Sequence, residues 1–261
     1  VHEALLAGAE LLDAFGGAQD PRPWRARAAR LARRFREAFW VSDADGRFPA
    51  LALDGNKKPV DALTSNIGHL LGTGLLDAAE SDAVGARLLA PDMASGYGLR
   101  TMSSRAQGYS PLSYHCGSVW PHDTAIVVRG LARAGQADRA VGLGMQLLAA
   151  ADGFDRRLPE LFAGFGADEV AGPVPYPASC RPQAWSAAAA VALLHVLLGL
   201  SVDVPAGTLT LAPPAGQPVG ALSVRGLAVA GATLDVEIAA DGTVTHLSAP
   251  DDLRVIVRRA V

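Results

Sequence analysis

The sequence predicts a mainly α-helical fold: a partial α/α toroid of helical hairpins over residues 1–204, followed by a small antiparallel β module over residues 205–261. Amphipathic segments alternate along the first part of the chain with segments that are apolar nearly all round. This is the pattern expected when outer and inner helices form a double ring. From about Pro205 the chain changes to short alternating runs with turn signals, which are typical of antiparallel strands.

The helices are assigned from their apolar periodicity. In residues 22–39, Trp24, Leu31 and Phe35 share one helical face. Seven arginines fill the rest of this segment, and we interpret them as a solvated surface rather than an anion-binding site. The complete prediction places outer helices at 22–39, 82–90 and 136–150, inner helices at 64–76, 119–134 and 183–199, and an inner or mixed helix at 1–15.

The last inner helix is the most apolar run of the chain. Residues 184–200 are rich in alanine and contain Ser186 and His195. A membrane-spanning helix needs about 20 consecutive, largely apolar residues. We therefore predict a buried core helix here and no membrane span.

Long loops rich in glycine, proline and aromatic residues precede three of the inner helices. The interval from Asn66 to His122 is 56 residues, and that from His122 to Gln183 is 61 residues. Near-constant spacing indicates one supersecondary unit per repeat. Long loops inside a compact domain are usually functional, so we expect all three to open on one face of the toroid.

The clearest strand signal lies in the predicted β module. Asp241-Gly242 separates two alternating runs, Leu234–Ala239 and Thr243–Ser248. An Asp-Gly pair in this setting is a strong hairpin signal.

Charge and cysteine content limit the function classes. The net charge of −3 gives no field that would favour nucleic acid or an anionic membrane as a partner. Two distant thiols, Cys116 and Cys180, are too few for a disulfide framework, which favours a cytoplasmic location. The first segment lacks the features of a signal peptide and begins in the middle of an apolar pattern without Met. We expect further residues upstream, and no cofactor.

Polar and aromatic residues gather where the 119–134 helix begins, in the stretch YSPLSYHCGSVWPHDTAIVVRGLARAG. Ser118, Pro121 and Asp123 have a structural explanation, as an N-cap, a first-turn proline and a first-turn acid. The remaining polar rings do not, and aromatic faces with polar donors are a common way to hold a sugar. These unexplained residues are Tyr114, His115, Trp120 and His122.

A metal site is the alternative reading of the same stretch. His115, Cys116, His122 and Asp123 could all be ligands, but no HxxxH or CxxC spacing occurs. We therefore predict no metal.

Glu160 is the candidate general base. It stands among Pro159, Leu161 and Phe162, an unusual setting for a surface acid, and a carboxylate in a cleft can act as a base. An ion pair with Arg156 or Arg157 is the competing interpretation.

Three further residues are expected at the mouth of the same cleft, namely Tyr176, Gln183 and Trp185. Arg100 follows Gly96 and Gly98, which allow the backbone to turn and aim a side chain. Arg100 could equally be a loop arginine that bonds carbonyls.

A family resemblance rests on four segments: GYGLRTMS, YHCGSVWPHDTAIVVRGL, LPELFAGF and PVPYPASCRPQAWSAAA. Together they resemble the C-terminal half of the bacterial glycogen-debranching-type amylo-α-1,6-glucosidases and, more distantly, the glucoamylase-like clan of α/α-toroid glycosidases. The resemblance covers roughly residues 1–200 and implies an inverting hydrolase with its sugar pocket at the loop end. Glu160 matches the position of the general base. The matching pocket positions are Arg100, Tyr114, Trp120, His122, Asp123 and Trp185.

The chain departs from this family in two respects. The family's general acid comes from a Trp- and Asp-containing loop ahead of the segment that residues 1–16 resemble, and none of that loop is in the sequence. About half of the six hairpins are also absent. We therefore expect a glycoside hydrolase fragment that acts on α-glucosidic linkages and hydrolyses poorly by itself, with an oligosaccharide or polysaccharide as substrate.

Two other functions remain open from the sequence. One is a non-catalytic carbohydrate-binding or assembly module, in which a homo-oligomer or an upstream domain covers the incomplete toroid. The other is a sugar epimerase on the same fold, with His115 and His122 as the acid–base pair.

Overall fold

The computed structural model describes residues 1–16 and 19–258. The chain divides into two compact units, Val1–Ala190 and Val191–Val261, with the division inside the last helix. The toroid and β module predicted for 1–204 and 205–261 stay a prediction. Helices account for 36% of the chain and strands for 20%. The fold therefore combines helices with small sheets, and the prediction of a mainly α fold is confirmed only in part.

The helices of the described residues agree broadly with the predicted segments, because the apolar positions recur at helical spacing. Helix α3 begins earlier than predicted, at a capping box in which Asp77 accepts from the backbone N–H of Glu80, and the Glu80 carboxylate accepts from that of Asp77. The helices are α1 (His2–Phe15), α2 (Arg22–Ala38), α3 (Ala78–Leu88), α4 (Pro121–Arg133), α5 (Ala137–Asp152) and α6 (Ala184–Leu198).

The α-helix predicted at 64–76 is wrong. The structure has a 3-10 helix at Ser65–Leu70, followed by turns. Leu71 is already extended, and Gly72 and Gly74 adopt φ angles of 69° and 75°. These left-handed conformations suit glycine and end a right-handed helix.

Helix α4 is the central element of the first unit. Its residues Val127, Val128 and Leu131 are buried, and it packs against both α5 and the 3-10 helix. The approach to the 3-10 helix is close because Gly68 has no side chain, and a Cβ there would meet Val127. The prediction that this helix is an inner one is supported by its burial.

Helix α6 is less buried than the sequence analysis expects. Trp185 is 42% exposed and Val191 is 52% exposed, whereas Ser186, Leu193 and Leu197 are buried. An alanine-rich helix is apolar all round and could be covered on every side. In this structure it presents one apolar face to solvent.

Four short strands in the first unit and six in the second complete the described regular structure. In the first unit, β1 (Trp40–Asp43) pairs with β2 (Gly46–Pro49), and β3 (Ala52–Leu53) pairs with β4 (Pro59–Val60), both antiparallel. The strands of the second unit are β5 (Ser201–Asp203), β6 (Thr208–Leu211), β7 (Leu222–Val229), β8 (Ala232–Ile238), β9 (Val244–Ser248) and β10 (Arg254–Val257).

The second unit contains two three-stranded sheets, in the orders β10-β6-β5 and β7-β8-β9. The hairpin predicted at Asp241-Gly242 is confirmed, because β8 and β9 are antiparallel across it and Gly242 has a φ of 85°. The prediction that this module is wholly antiparallel is wrong, since β10 pairs with β6 in parallel. Leu209, Leu234 and Val236 lie in the core of this unit.

In the part of the chain that the structure describes, no helix has both the length and the apolar character needed to cross a membrane.

A buried ion network fixes the loop that follows α3. Arg87 donates to both carboxylate oxygens of Asp92, at 2.8 and 2.9 Å, and to Asp43. The side chains of Arg87 and Asp92 are 2% and 5% exposed. Burial opposes ionisation of Asp92, but hydrogen bonds from Arg87 and Ser103 outweigh it and hold the Asp92 pKa at about 2.

We expect Arg87→Met to lower the free energy of unfolding by about 3 kcal/mol, because it leaves the Asp92 carboxylate buried with its main partner removed. Urea denaturation followed by circular dichroism measures this change. The matched control is Arg139→Met, which breaks an exposed ion pair with Asp82 and should cost about 0.5 kcal/mol. Equal losses of unfolding free energy in the two variants would contradict the assignment of Arg87 and Asp92 as a stabilising buried ion pair.

Candidate functional site

The loops that precede the inner helices are joined edge to edge by single pairs of backbone contacts. Val119 lies at the centre, bridged to Arg100 on one side and to Phe162 on the other. Phe162 is bridged in turn to Pro175. Val119 and Phe162 are fully buried, so the bridges hold the residues just before and after them close together.

Glu160 lies in this layer, two residues before Phe162. Its backbone N–H donates to the carbonyl of Cys180 at 2.9 Å, and the N–H of Cys180 donates to Oε2 of Glu160 at 3.3 Å. The Tyr114 hydroxyl donates to Oε1 at 2.9 Å. The side chain is partly exposed, so the carboxylate is oriented by neutral donors and still open to a ligand.

The ion pair considered for Glu160 in the sequence analysis is not seen among the described residues. Arg156 instead lies 3.7 Å from Asp152 on the preceding helix, in a solvent-exposed pair. Among the described residues, neutral donors rather than a cation therefore hold the carboxylate of Glu160.

The ring of Tyr114 is the hub of an aromatic cluster. It meets Trp120 edge-on at 4.9 Å between centroids, His115 at 4.7 Å and Tyr176 at 5.8 Å. The hydrogen bond to Glu160, together with burial, raises the pKa of Tyr114 above its usual value. The phenol therefore stays protonated and remains a donor to the carboxylate.

Trp120 and its neighbours continue the cluster. The indole Nε1–H donates to the carbonyl of Tyr114 and to the hydroxyl of Ser118, both at 3.0 Å, and His115 stacks on the indole at 5.6 Å. Trp120, not Ser118, is the N-cap residue of α4, so the capping role expected for Ser118 is wrong. Its hydroxyl donates to the Tyr114 carbonyl instead.

The most parallel stack of the cluster joins His122 to Trp185. Their ring centroids are 4.2 Å apart and the planes differ by 6°, and Trp185 also meets Trp120 at 5.9 Å. Burial lowers the pKa of His122, which keeps the imidazole neutral at pH 7. Its Nδ1 is buried and has no hydrogen-bond partner among the described residues.

Asp123 is bound by a histidine that the sequence analysis did not identify. Oδ1 of Asp123 lies 2.6 Å from Nε2 of His69, on the 3-10 helix. The hydrogen bond raises the pKa of His69. The other carboxylate oxygen, Oδ2, is buried and unpartnered among the described residues.

Two predicted binding residues do not join the cluster through any contact seen among the described residues. Arg100 is 4% exposed, and its guanidinium donates to the carbonyls of Gly164 at 2.7 Å and Pro91 at 2.8 Å. This is the structural role that the sequence left open. Gln183 accepts from the N–H of Ala184 at 3.0 Å, where α6 begins.

Comparison with known families assigns most of this unit. The family model described as mannosylglycerate hydrolase MGH1-like glycoside hydrolase domain matches residues 2–162. The chain belongs to this glycoside hydrolase family. The match includes Tyr114, Trp120 and Glu160 but ends before Trp185. No curated protein matches the chain significantly.

Several solved structures share the fold of this MGH1-like glycoside hydrolase at low identity. A mannosylglycerate hydrolase from Thermus thermophilus in complex with glucose is 18% identical, with a TM-score of 0.52 over 74% of this chain and 42% of that one. A neutral trehalase from Saccharomyces cerevisiae is 13% identical, with a TM-score of 0.55 over 75% and 36%. A sialidase is 12% identical, with a TM-score of 0.70 over 92% and 23%. The chain thus spans less than half the length of each.

The stack on Trp185 predicts a measurable pKa change. We expect Trp185→Ala to raise the His122 pKa towards its ordinary value of 6.5, because water reaches an imidazole that burial now keeps neutral. NMR titration of the histidine ring protons measures the shift. Trp24→Ala removes another partly exposed tryptophan and should leave His122 unchanged. An unaltered His122 pKa in Trp185→Ala would show that the stack does not shield it.

Proposed function

We propose that this MGH1-like chain provides the sugar site and the general base of an inverting glycoside hydrolase acting on α-glucosidic linkages. The observation that carries the proposal is the Tyr114–Glu160 hydrogen bond at the edge of the aromatic cluster. A half-exposed carboxylate beside aromatic faces has the chemistry that a glycosidase base requires.

In the proposed reaction Glu160 removes a proton from a water molecule as its oxygen attacks the anomeric carbon. The bond from that carbon to the leaving oxygen breaks, and the configuration inverts. An inverting enzyme also needs a carboxylic acid that protonates the leaving oxygen, typically about 6.5–9.5 Å from the base. The family resemblance implies that this acid comes from upstream of Val1.

The aromatic cluster would position the sugar for this step. Trp185 is 42% exposed, while its ring is fixed by His122 and Trp120. A ring held in this way can cover the C–H face of a sugar with little loss of side-chain entropy. Polar groups of His115 and His122 lie within the same cluster for hydroxyl contacts.

For the substrate we propose an α-glucan or a short maltooligosaccharide, including α-1,6 branch points. Two findings support this choice. The segments of the chain that contain Trp120 and Glu160 resemble those of amylo-α-1,6-glucosidases, and one structural neighbour is a hydrolase in complex with glucose.

Carbohydrate binding without hydrolysis is the second candidate, and the exposed face of Trp185 favours it equally. In this version the cluster holds the sugar, and Glu160 accepts a hydrogen bond from a sugar hydroxyl rather than activating water. The protein would then bind the sugar without hydrolysing it. Another chain or domain would cover the apolar face of α6.

The experiment that tests the proposal is Glu160→Gln in the full-length protein encoded by the gene. We expect the rate of glucose release from maltotriose and isomaltose to fall about 10²–10⁴-fold, the usual contribution of a general base. The affinity for maltotriose should stay within a few-fold, because the amide still accepts from Tyr114. Coupled glucose oxidation measures the rate, and calorimetry measures the affinity.

Glu10→Gln is the matched control, since Glu10 is an exposed acid on α1 and its loss should leave the rate unchanged. Undiminished hydrolysis in Glu160→Gln would refute the role of base. Sugar binding by a wild-type protein that releases no glucose would instead favour the second candidate.

A further inference from the structure

His69 joins the candidate site through a charged contact that spans two elements. Its Nε2 lies 2.6 Å from Oδ1 of Asp123, at the first turn of α4 and next to His122. The His69 side chain is 41% exposed, whereas that of Asp123 is 13% exposed. A buried carboxylate therefore holds an accessible imidazole in one orientation.

The accessible part of His69 faces a cavity. This cavity has a volume of about 540 Å³, which is large enough for a monosaccharide unit. Its walls come mainly from α1, α2, the 3-10 helix and the residues that follow these helices. They combine aromatic and aliphatic side chains with polar or charged ones, the latter being His2, Glu3, Arg34, His69 and Thr73.

The geometry of the ring decides what His69 can offer. With Nε2 fixed by Asp123, Nδ1 remains for another partner, and no hydrogen bond to Nδ1 is found within the described residues. A protonated imidazole donates from both nitrogens, whereas a neutral ring with Nε2–H can only accept at Nδ1. Aromatic rings together with several polar groups suit a sugar, and the imidazolium of His69 can donate to one of its hydroxyls.

We propose that a sugar unit bound at the candidate site reaches into this cavity, and that His69, oriented by Asp123 through Nε2, donates from Nδ1–H to one of its hydroxyls. This inference rests on the proposed function and adds a binding residue to it. Asp123 acts as a positioning residue for His69 in addition to its place at the start of α4.

The proposal makes sugar affinity depend on pH. The hydrogen bond to Asp123 raises the His69 pKa above 6.5, so the imidazolium is present below the raised pKa and is lost as pH rises through it. Affinity should follow the same course. The other titratable or charged groups that face His69 are His2 and Glu3 of α1, Arg34 of α2, and His122 beside Asp123.

The experiment measures the affinity of the protein for maltotriose by calorimetry between pH 5 and 9, with NMR titration of the histidines. In the wild type, affinity should fall as pH rises through the His69 pKa, and saturating maltotriose should raise that pKa. His69→Gln keeps a donor for Asp123 but removes the titrating nitrogen. We expect about 10-fold weaker binding at pH 6 and a flat pH profile.

Asp123→Asn tests the positioning role with a nearly isosteric change. It should lower the His69 pKa and move the midpoint of the affinity profile to lower pH, whereas loss of structure alone would weaken binding at every pH. His195→Gln, which changes an exposed histidine on α6, should leave the profile unaltered.

Two results would overturn the proposal. A His69 pKa that is unmoved by maltotriose overturns it without any substitution. Wild-type-like affinity in His69→Gln overturns it too. That result would not bear on the role of Glu160, which is tested separately by the rate of glucose release. Failure of the wild type to bind maltotriose at any pH would overturn both the proposed function and this inference.

Discussion

The backbone pairing of Val119 with Phe162 is the constraint on which the candidate site depends. Each residue donates to the carbonyl of the other, at 2.8 and 3.0 Å, and both side chains are fully buried. The two loops approach so closely that a Cβ on Gly164 would overlap the carbonyl of Gly117. This pairing brings Tyr114 within hydrogen-bond distance of Glu160, although 46 residues separate them.

The two carboxylates of the site, those of Asp123 and Glu160, lie in different environments. Asp123 is buried, and its Oδ1 lies 2.6 Å from Nε2 of His69. Glu160 is half-exposed and held by a phenol and a backbone N–H. Under the proposals made above, Asp123 positions His69 and Glu160 acts as the general base.

The sequence predicted the features that arise from local pattern. Recurrent loops ahead of apolar helices predicted that Tyr114, Trp120 and Glu160 would lie at one end of the helices, and Tyr114 contacts both Trp120 and Glu160. The Asp241-Gly242 hairpin was likewise predicted from local sequence. Asp45 and Gly46 carry the same pair of residues between β1 and β2, where Ala44 and Asp45 form the turn and Gly46 begins β2.

What the sequence could not supply depends on contacts between distant elements. His69 lies in an apolar run, where a lone histidine most often belongs to the core, and only the fold brings it to Asp123, 54 residues away. The length of the 64–76 helix was overestimated because apolar periodicity continues through Gly72 and Gly74, whose backbone conformations end it. Arg100 was ambiguous until its carbonyl partners were visible.

The candidate site combines residues from inside the matched family region with residues from beyond it. The matched family region ends at residue 162 and contains the cluster's Tyr114, Trp120 and Glu160, whereas Tyr176 and Trp185 come from the segment beyond it. Structural neighbours at 12–18% identity establish a shared fold and not a shared substrate. Trp185 closes the ring stack and is 42% exposed, so under the proposed function the choice of sugar falls to residues that follow the family match.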